Sequence, residues 1–310
     1  MSLVFVFPGQ GSQSVGMMSA LAEEAIVREV FTEAGEALGQ DLWSIVQEGP
    51  EETLNSTEIT QPAMLAAGTA LWRLWQSRGG PVPAFMAGHS LGEYTALVAA
   101  GSIAFADAVG LVHQRGRFMQ EAVPAGSGAM AAILGLDDAA VAEVCAAAAE
   151  GEVVEPVNFN APGQVVVAGE RAAVERATRL AKEKGAKRAL VLPVSVPSHC
   201  SLMKPAAERL EKVLAEVTIT APSVPVICNV DVQPVADAAA IRDALVRQLY
   251  RPVRWVETIR QLAAQGVDQL VECGPGKVLT GLNKRIEKAM TARAIFDPAS
   301  LAQALEELAG

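Results

Sequence analysis

Gly88-His89-Ser90-Leu91-Gly92 is the stretch on which the fold turns. An apolar run, Val82–Ala87, precedes it and reads as a strand. A second apolar run, Leu91–Ala100, follows and reads as a helix. Gly-x-Ser-x-Gly in that setting puts the serine on a sharp, strained turn with its hydroxyl exposed. Glycines two residues to either side let strand and helix approach each other. The helix aims free N–H groups at the place where an oxyanion would form, with the Leu91 N–H as first donor. Ser90-Leu91-Gly92-Glu93 also fits a Ser-x-x-Glu capping box, so a capping role for Ser90 stays open here. A cap needs neither the flanking glycines nor a preceding buried strand.

A serine nucleophile needs a base, and histidine is the usual one. The chain has three: His89, His113 and His199. His89 adjoins Ser90, and neighbouring side chains on a sharp turn diverge. His113 follows Leu111 and Val112 in a helical pattern, Ala106–Glu121, where a partly buried structural histidine is expected. His199 ends Pro193-Val194-Ser195-Val196-Pro197-Ser198-His199, a proline-stiffened loop after the strand expected at Ala189–Val194. Functional residues favour such loops. Elimination selects His199 as the base. The same helix as His113 carries Arg115-Gly116-Arg117-Phe118. Residues two apart face different ways, and a guanidinium suits bidentate capture of a carboxylate. Most helix arginines are surface ion-pair partners, so the spacing alone does not assign either one.

Away from the elbow, Leu3–Phe7 reads as a first strand that opens into a Gly/Gln loop, Pro8–Ser14, and helical patterns run to about Gln76. The middle changes character. Ala129–Leu134 is a strand, Asp138–Ala149 a helix, and Val153–Phe159 and Gln164–Ala168 are strands joined by the turn Asn160-Ala161-Pro162-Gly163. Helix Arg171–Lys184 and strand Ala189–Val194 complete β-α-β-β-α-β, the ferredoxin-like order. The expected organisation is a large α/β domain from 1–125 and 197–310, with a small ferredoxin-like domain inserted at 126–196. Helix Lys204–Glu216, strand Val224–Asn229, helix Ala239–Leu249 and strand Gln269–Cys273 follow.

A length of 310 residues, 51% hydrophobic and 19% charged, suits a packed enzyme and excludes disorder. With only 5% aromatic residues, Ala, Val and Leu must fill the core. A net charge of −10 makes nucleic acid an unsuitable partner. Cys145, Cys200, Cys228 and Cys273 lie at neither metal-ligand nor redox spacing, and read as buried thiols of a reducing compartment. The apolar N-terminus ends at Pro8-Gly9 without the marks of a signal peptide, and no run reaches membrane-spanning length. A cytoplasmic monomer with no metal and no membrane contact is expected.

Taken together, the chain resembles the malonyl-CoA:acyl-carrier-protein transacylase family, in its free-standing bacterial type. The resemblance rests on Phe7-Pro8-Gly9-Gln10-Gly11-Ser12-Gln13, Gln61-Pro62-Ala63, Gly88 to Tyr94, Arg115-Gly116, Asn158-Phe159-Asn160, Ser198-His199 and Gly274-Pro275-Gly276-Lys277, in the family's order. It implies a hydrolase-like large domain with a parallel sheet and a nucleophile elbow, plus a ferredoxin-like small domain. It implies Ser90 as nucleophile, His199 as base, and the Gln248 carbonyl in place of the acid that orients the histidine. It further implies an oxyanion hole from the N–H groups of Gln10 and Leu91, Arg115 as partner of the malonyl carboxylate, and Gln61 near the site. Substrate and product are malonyl-CoA and coenzyme A, the protein partner is acyl carrier protein, and no cofactor is implied. A related selectivity motif ending in Phe-His is replaced here by Ser198-His199 and says nothing of acyl choice. The alternatives are a loader of polyketide carriers, a serine hydrolase, and a non-catalytic carrier-binding module. No clear acid stands between Ser90 and His199 in the hydrolase order, and a hydrolase needs no carboxylate clamp.

Two basic clusters stand out in the acidic chain: Lys182, Lys184, Lys187 and Arg188, and Lys277, Lys284, Arg285 and Lys288. Each alone is an ordinary solvated face; one of them is expected to receive an acidic carrier protein.

Overall fold

Leu3-Val4-Phe5-Val6-Phe7 has no polar residue, and the computed structural model gives the reason: it is a central strand buried on both faces. The structure describes residues 2–194 and 196–308. Ser195, in the loop leading to His199, lies outside the described residues, as does Met1.

In chain order the strands are β1 (Leu3–Phe7), β2 (Phe85–Gly88), β3 (Gly128–Leu134), β4 (Val154–Ala161), β5 (Gln164–Glu170), β6 (Arg188–Val191), β7 (Val226–Ile227), β8 (Gln269–Cys273) and β9 (Thr291–Ile295). One sheet has the order β7-β2-β1-β8-β9, and its pairs are parallel. A smaller sheet has the order β4-β5-β3-β6, with antiparallel pairs. This is the α/β fold with a second antiparallel unit that the sequence implies.

Side chains alternate across a strand. Leu3, Phe5 and Phe7 therefore enter a core shared with helices Ala25–Leu38, Thr57–Ser77 and Phe105–Glu121. Val4 and Val6 enter the core on the other face, with helices Trp255–Ala264 and Val278–Ile286. Small residues set the spacing on the first face. Ala63, Ala66, Ala67 and Ala70 are fully buried, and Phe5 meets Trp72 edge-on with ring centroids 5.2 Å apart.

The small sheet follows the expected β-α-β-β-α-β order, with helices Asp138–Ala149 and Arg171–Glu183. Its hairpin is tighter than expected. Ala161 pairs with Gln164, so only Pro162 and Gly163 turn, and Gly163 takes φ 68°. Three strands are shorter than in the sequence reading. β2 starts at Phe85 and not Val82, because Pro81 and Pro83 have no N–H to give a ladder. β6 ends at Val191, and Pro193 blocks its continuation. β7 is only Val226–Ile227, because the chain turns at Cys228, whose N–H donates to the Gln233 carbonyl at 3.0 Å. Helices Trp255–Ala264 and Pro298–Leu308 and strand β9 went unread in the sequence.

The small sheet joins the rest of the fold along β4. The Phe159 N–H donates to the Val253 carbonyl at 3.0 Å, and the Val253 N–H to the Val157 carbonyl at 2.8 Å. Arg285 Nη2 donates to the Pro162 carbonyl at 2.9 Å. Among the described residues, no helix is long and apolar enough to cross a membrane.

Candidate active site

Ser90 sits between β2 and helix Gly92–Ala99 with φ 53°, a left-handed conformation costly for a residue with a side chain. The glycines beside it have no room for anything larger. A Cβ on Gly92 would lie 2.0 Å from the Phe7 carbonyl oxygen, and one on Gly88 1.9 Å from the Gly92 carbonyl oxygen. Asn229 holds the strained turn from behind. The Ser90 N–H donates to its Oδ1 at 2.8 Å, and its Nδ2 donates to the Gly88 carbonyl at 2.7 Å. The capping-box alternative is not what forms. The Glu93 N–H donates to the main-chain carbonyl of Ser90, at 3.1 Å, while the Ser90 hydroxyl faces His199.

His199 is buried and also left-handed, at φ 66°. Its N–H donates to the Leu249 carbonyl at 2.9 Å. Its Nδ1 lies 2.7 Å from the Gln248 carbonyl oxygen and its Nε2 2.7 Å from Ser90 Oγ. A carbonyl only accepts, so Nδ1 carries the proton and donates. The Nε2 lone pair is left to accept from the Ser90 hydroxyl. Burial, with the Arg115 charge adding to it, pushes the His199 pKa down to about 3, so the ring is neutral at ordinary pH. The other histidines have structural partners. His89 Nε2 lies 2.8 Å from Asn160 Oδ1 on β4. His113 Nδ1 donates to the Glu58 carbonyl at 3.0 Å. That carbonyl is free because Pro62, four residues on in helix Thr57–Ser77, has no N–H.

Arg115 is 1% exposed. Its Nη1 donates to Gln61 Oε1 at 2.8 Å and its Nη2 to Gln248 Oε1 at 2.9 Å, and Nη2 lies 3.4 Å from Ser90 Oγ. Its Nε has no hydrogen-bond partner among the described residues. Arg117, two residues on, is exposed and faces Glu121 at 3.8 Å. The helix thus points one arginine at Ser90 and the other at solvent. The common surface reading of a helix arginine holds for Arg117 and fails for Arg115.

The amides of Gln10 and Leu91 donate to no other main-chain group among the described residues. The loop after β1 reaches the elbow closely. A Cβ on Gly9 would lie 2.5 Å from the His89 carbonyl oxygen and 3.7 Å from the Leu91 nitrogen. Both amides therefore belong to the same small region as Ser90. No group of three or more His, Cys, Asp or Glu side chains among the described residues is placed to hold a metal ion. The four cysteines are free and buried.

Two residues at this site escaped the sequence reading. Asn229 lies 139 positions from Ser90, at the end of the strand expected at Val224–Asn229. For Glu93 the sequence suggests no role beyond the far end of a capping box and a place in the elbow motif. It is 1% exposed, and burial raises its pKa to about 7.

Residues 4–296 match the acyl transferase domain family. The chain belongs to that family. A curated acyl transferase from Salmonella typhimurium, a malonyl CoA-acyl carrier protein transacylase, is 64% identical over 304 residues, 98% of each chain. A crystal structure of an acyl carrier protein S-malonyltransferase from Vibrio cholerae is 62% identical with a TM-score of 0.96, covering 98% of this chain and 99% of that one. A type II PKS acyl-carrier protein in complex with its malonyl-transacylase gives 57% identity and a TM-score of 0.98 over 99% of this acyl transferase and 100% of that chain.

Proposed function

We propose that this chain moves a malonyl group from malonyl-CoA to the phosphopantetheine thiol of acyl carrier protein, through a malonyl ester on Ser90, in fatty-acid biosynthesis. One observation carries the reading: a buried guanidinium and a neutral imidazole approach the same hydroxyl, at 3.4 and 2.7 Å. An acyl group on that oxygen places a carboxylate two bonds from its carbonyl beside Arg115. Curated relatives of that name, alike over nearly the full chain, support the choice of substrates.

The steps follow from the proton positions. The Ser90 hydroxyl gives its proton to His199 Nε2 as Oγ attacks the thioester carbon. The Gln10 and Leu91 amides receive the charge on the carbonyl oxygen. The C–S bond breaks, and coenzyme A leaves with the proton from His199. The carrier thiol then gives its proton to His199 and attacks the ester, and Ser90 recovers its hydrogen. Gln248 holds the histidine tautomer through its carbonyl, and Gln61 holds Arg115. Every proton and charge in this sequence is handled by the chain's own groups, so no cofactor is invoked. The large unit of 1–125 and 197–310 supplies elbow, base and clamp, and the unit of 126–196 forms the other wall. The reaction is a cytoplasmic one, carried out by a monomer.

The complex of a similar protein with a type II PKS acyl-carrier protein favours a second reading of the acceptor, in which the carrier serves polyketide synthesis. Transfer assays with purified carriers of both kinds decide between them. The core reading is tested by intact mass after mixing with malonyl-CoA and no carrier. One malonyl group that persists in water, yields to thiols and is absent in Ser90→Ala is expected. Label that persists in the alanine variant, or an ester that hydrolyses as fast as it forms, rejects the reading.

A further inference from the structure

Glu93 has no part in the steps above, yet the hydrogen bonds of the site converge on it. Its Oε2 accepts from Gln248 Nε2 at 2.8 Å and from the Asn229 N–H at 3.0 Å. Each of these partners holds a different part of the site. Asn229 Oδ1 accepts from the Ser90 N–H. Gln248 accepts from His199 with its main-chain carbonyl and from Arg115 with its side-chain Oε1. Its Nε2 also donates to the Ser90 carbonyl at 3.0 Å.

The two ends of an amide have nearly the same shape, so its orientation is decided by its neighbours. The Gln248 amide lies between a guanidinium, which only donates, and a carboxylate, which only accepts when ionised. One orientation satisfies both. The flipped one would set N–H against N–H and oxygen against oxygen in a buried site, where unmade bonds are not replaced by water. Burial raises the Glu93 pKa to about 7 while the Arg115 charge lowers it, which leaves the group ionised at pH 8.

We propose that Glu93 is a positioning residue that fixes the Gln248 amide and, through it, the Arg115 guanidinium. Preference for an acyl group bearing a carboxylate then depends on a side chain that touches no substrate. This rests on the Arg115 reading above.

Two neutral variants separate the acceptor from the charge. Glu93→Gln keeps an oxygen for Gln248, and the Asn229 N–H selects that end of the new amide. Glu93→Met keeps similar length and loses the acceptor. Single-turnover acylation at pH 8 is measured with malonyl-CoA and with acetyl-CoA. In Glu93→Met the malonyl rate should fall about tenfold more than the acetyl rate, the worth of one hydrogen bond to a charged group. Glu93→Gln should keep the wild-type malonyl-to-acetyl ratio within about threefold. A residue that merely supports the fold would lower both substrates alike. Equal losses in Glu93→Met, no loss, or a Glu93→Gln as unselective as Glu93→Met overturns the proposal. If Glu93→Met does not fold, Gln248→Leu removes the amide and keeps the carbonyl that His199 needs. It should show the same selective loss of malonyl, and an unchanged ratio there rejects the proposal equally. The malonyl-to-acetyl ratio of Arg115→Ala reports on the underlying reading by itself, so the two failures are distinguishable.

Discussion

His199 Nδ1 lies 2.7 Å from the main-chain carbonyl oxygen of Gln248, in the position where a carboxylate orients the histidine of many serine enzymes. A carbonyl fixes the tautomer as a carboxylate does, but adds no negative charge. With Arg115 Nη2 only 3.4 Å from Ser90 Oγ, an extra carboxylate there would compete for the guanidinium proposed to hold an acidic acyl group.

Loss of the base should cost far more than loss of either other histidine's neighbourly contacts. His199→Ala is expected to cut the transfer rate by about 10³-fold or more, the scale for a base acting with its nucleophile. His113→Ala should leave the rate near wild type, because His113 serves the Glu58 carbonyl. Ser90→Ala/His199→Ala should be little worse than either single change, since the pair acts as a unit. Steady-state kinetics of the four proteins checks this, and a near-normal His199→Ala moves the base elsewhere.

The two arginines of one helix should behave differently. Arg115→Ala is expected to weaken malonyl transition-state binding by roughly 2–5 kcal/mol, as when one partner of a desolvated charge pair is removed, and acetyl far less. Arg117→Ala should be mild, because that side chain is exposed. Competition between malonyl-CoA and acetyl-CoA reads this directly, and an unchanged preference in Arg115→Ala rejects the clamp.

Glu93 and His199 pull stability in opposite directions as pH changes. The folded pKa of Glu93, about 7, is above its ordinary 4.5, so its contribution is full below about 4.5 and is lost as pH rises through 7. That of His199, about 3, is below its ordinary 6.5, so its contribution is full above 6.5 and is lost as pH falls toward 3. Comparing wild type with Glu93→Gln cancels the histidine. The variant should gain on wild type between pH 5 and pH 8, by at most ~3 kcal/mol. Denaturant unfolding at both pH values measures it, and a constant difference contradicts the shift. Acylation by Glu93→Gln should also stay level down to pH 5, because the base is already neutral; a fall centred near 6.5 would show that His199 titrates ordinarily.

Members of the two basic clusters, about a hundred positions apart in sequence, line one cleft. Lys187 and Arg188 line the same cleft as Arg285, at the seam marked by Pro162 and Gly163. Lys184 is partly neutralised by Glu143 at 2.7 Å. Charge reversal at Lys187 and Arg285 is expected to raise the KM for an acidic carrier protein and to flatten its salt dependence, since steering charges act mainly on association and are screened. The malonyl-CoA half-reaction should change less. Carrier kinetics indifferent to both reversals would remove this surface from docking.

How much of the site was legible depended on whether its signal was local. Gly88, Ser90 and Gly92 lie within five residues, and their glycines are required by contacts with Phe7 and with each other. His199 was reachable because there were only three histidines to choose among. The β-α-β-β-α-β order survived because each element has its own period and the Pro162-Gly163 turn punctuates the middle. By contrast, β9 and helix Trp255–Ala264 go unread; the helix has no side-chain cap at its start, although Gly266, at φ 85°, closes its end.

The sequence by itself determined the elbow, the β-α-β-β-α-β order of the small unit, and a histidine in a stiffened loop, because these follow from sterics and spacing along a few residues. The tertiary structure alone decided which way Arg115 faces, since a helix offers every side chain a different azimuth and only packing against Gln61, Tyr94 and Gln248 selects one. It alone brought Asn229 behind Ser90 and joined Gln248 to Glu93. The Gln248 carbonyl is the extreme case: every residue type has that oxygen, so only its position in space, 2.7 Å from a histidine 49 residues away, distinguishes it.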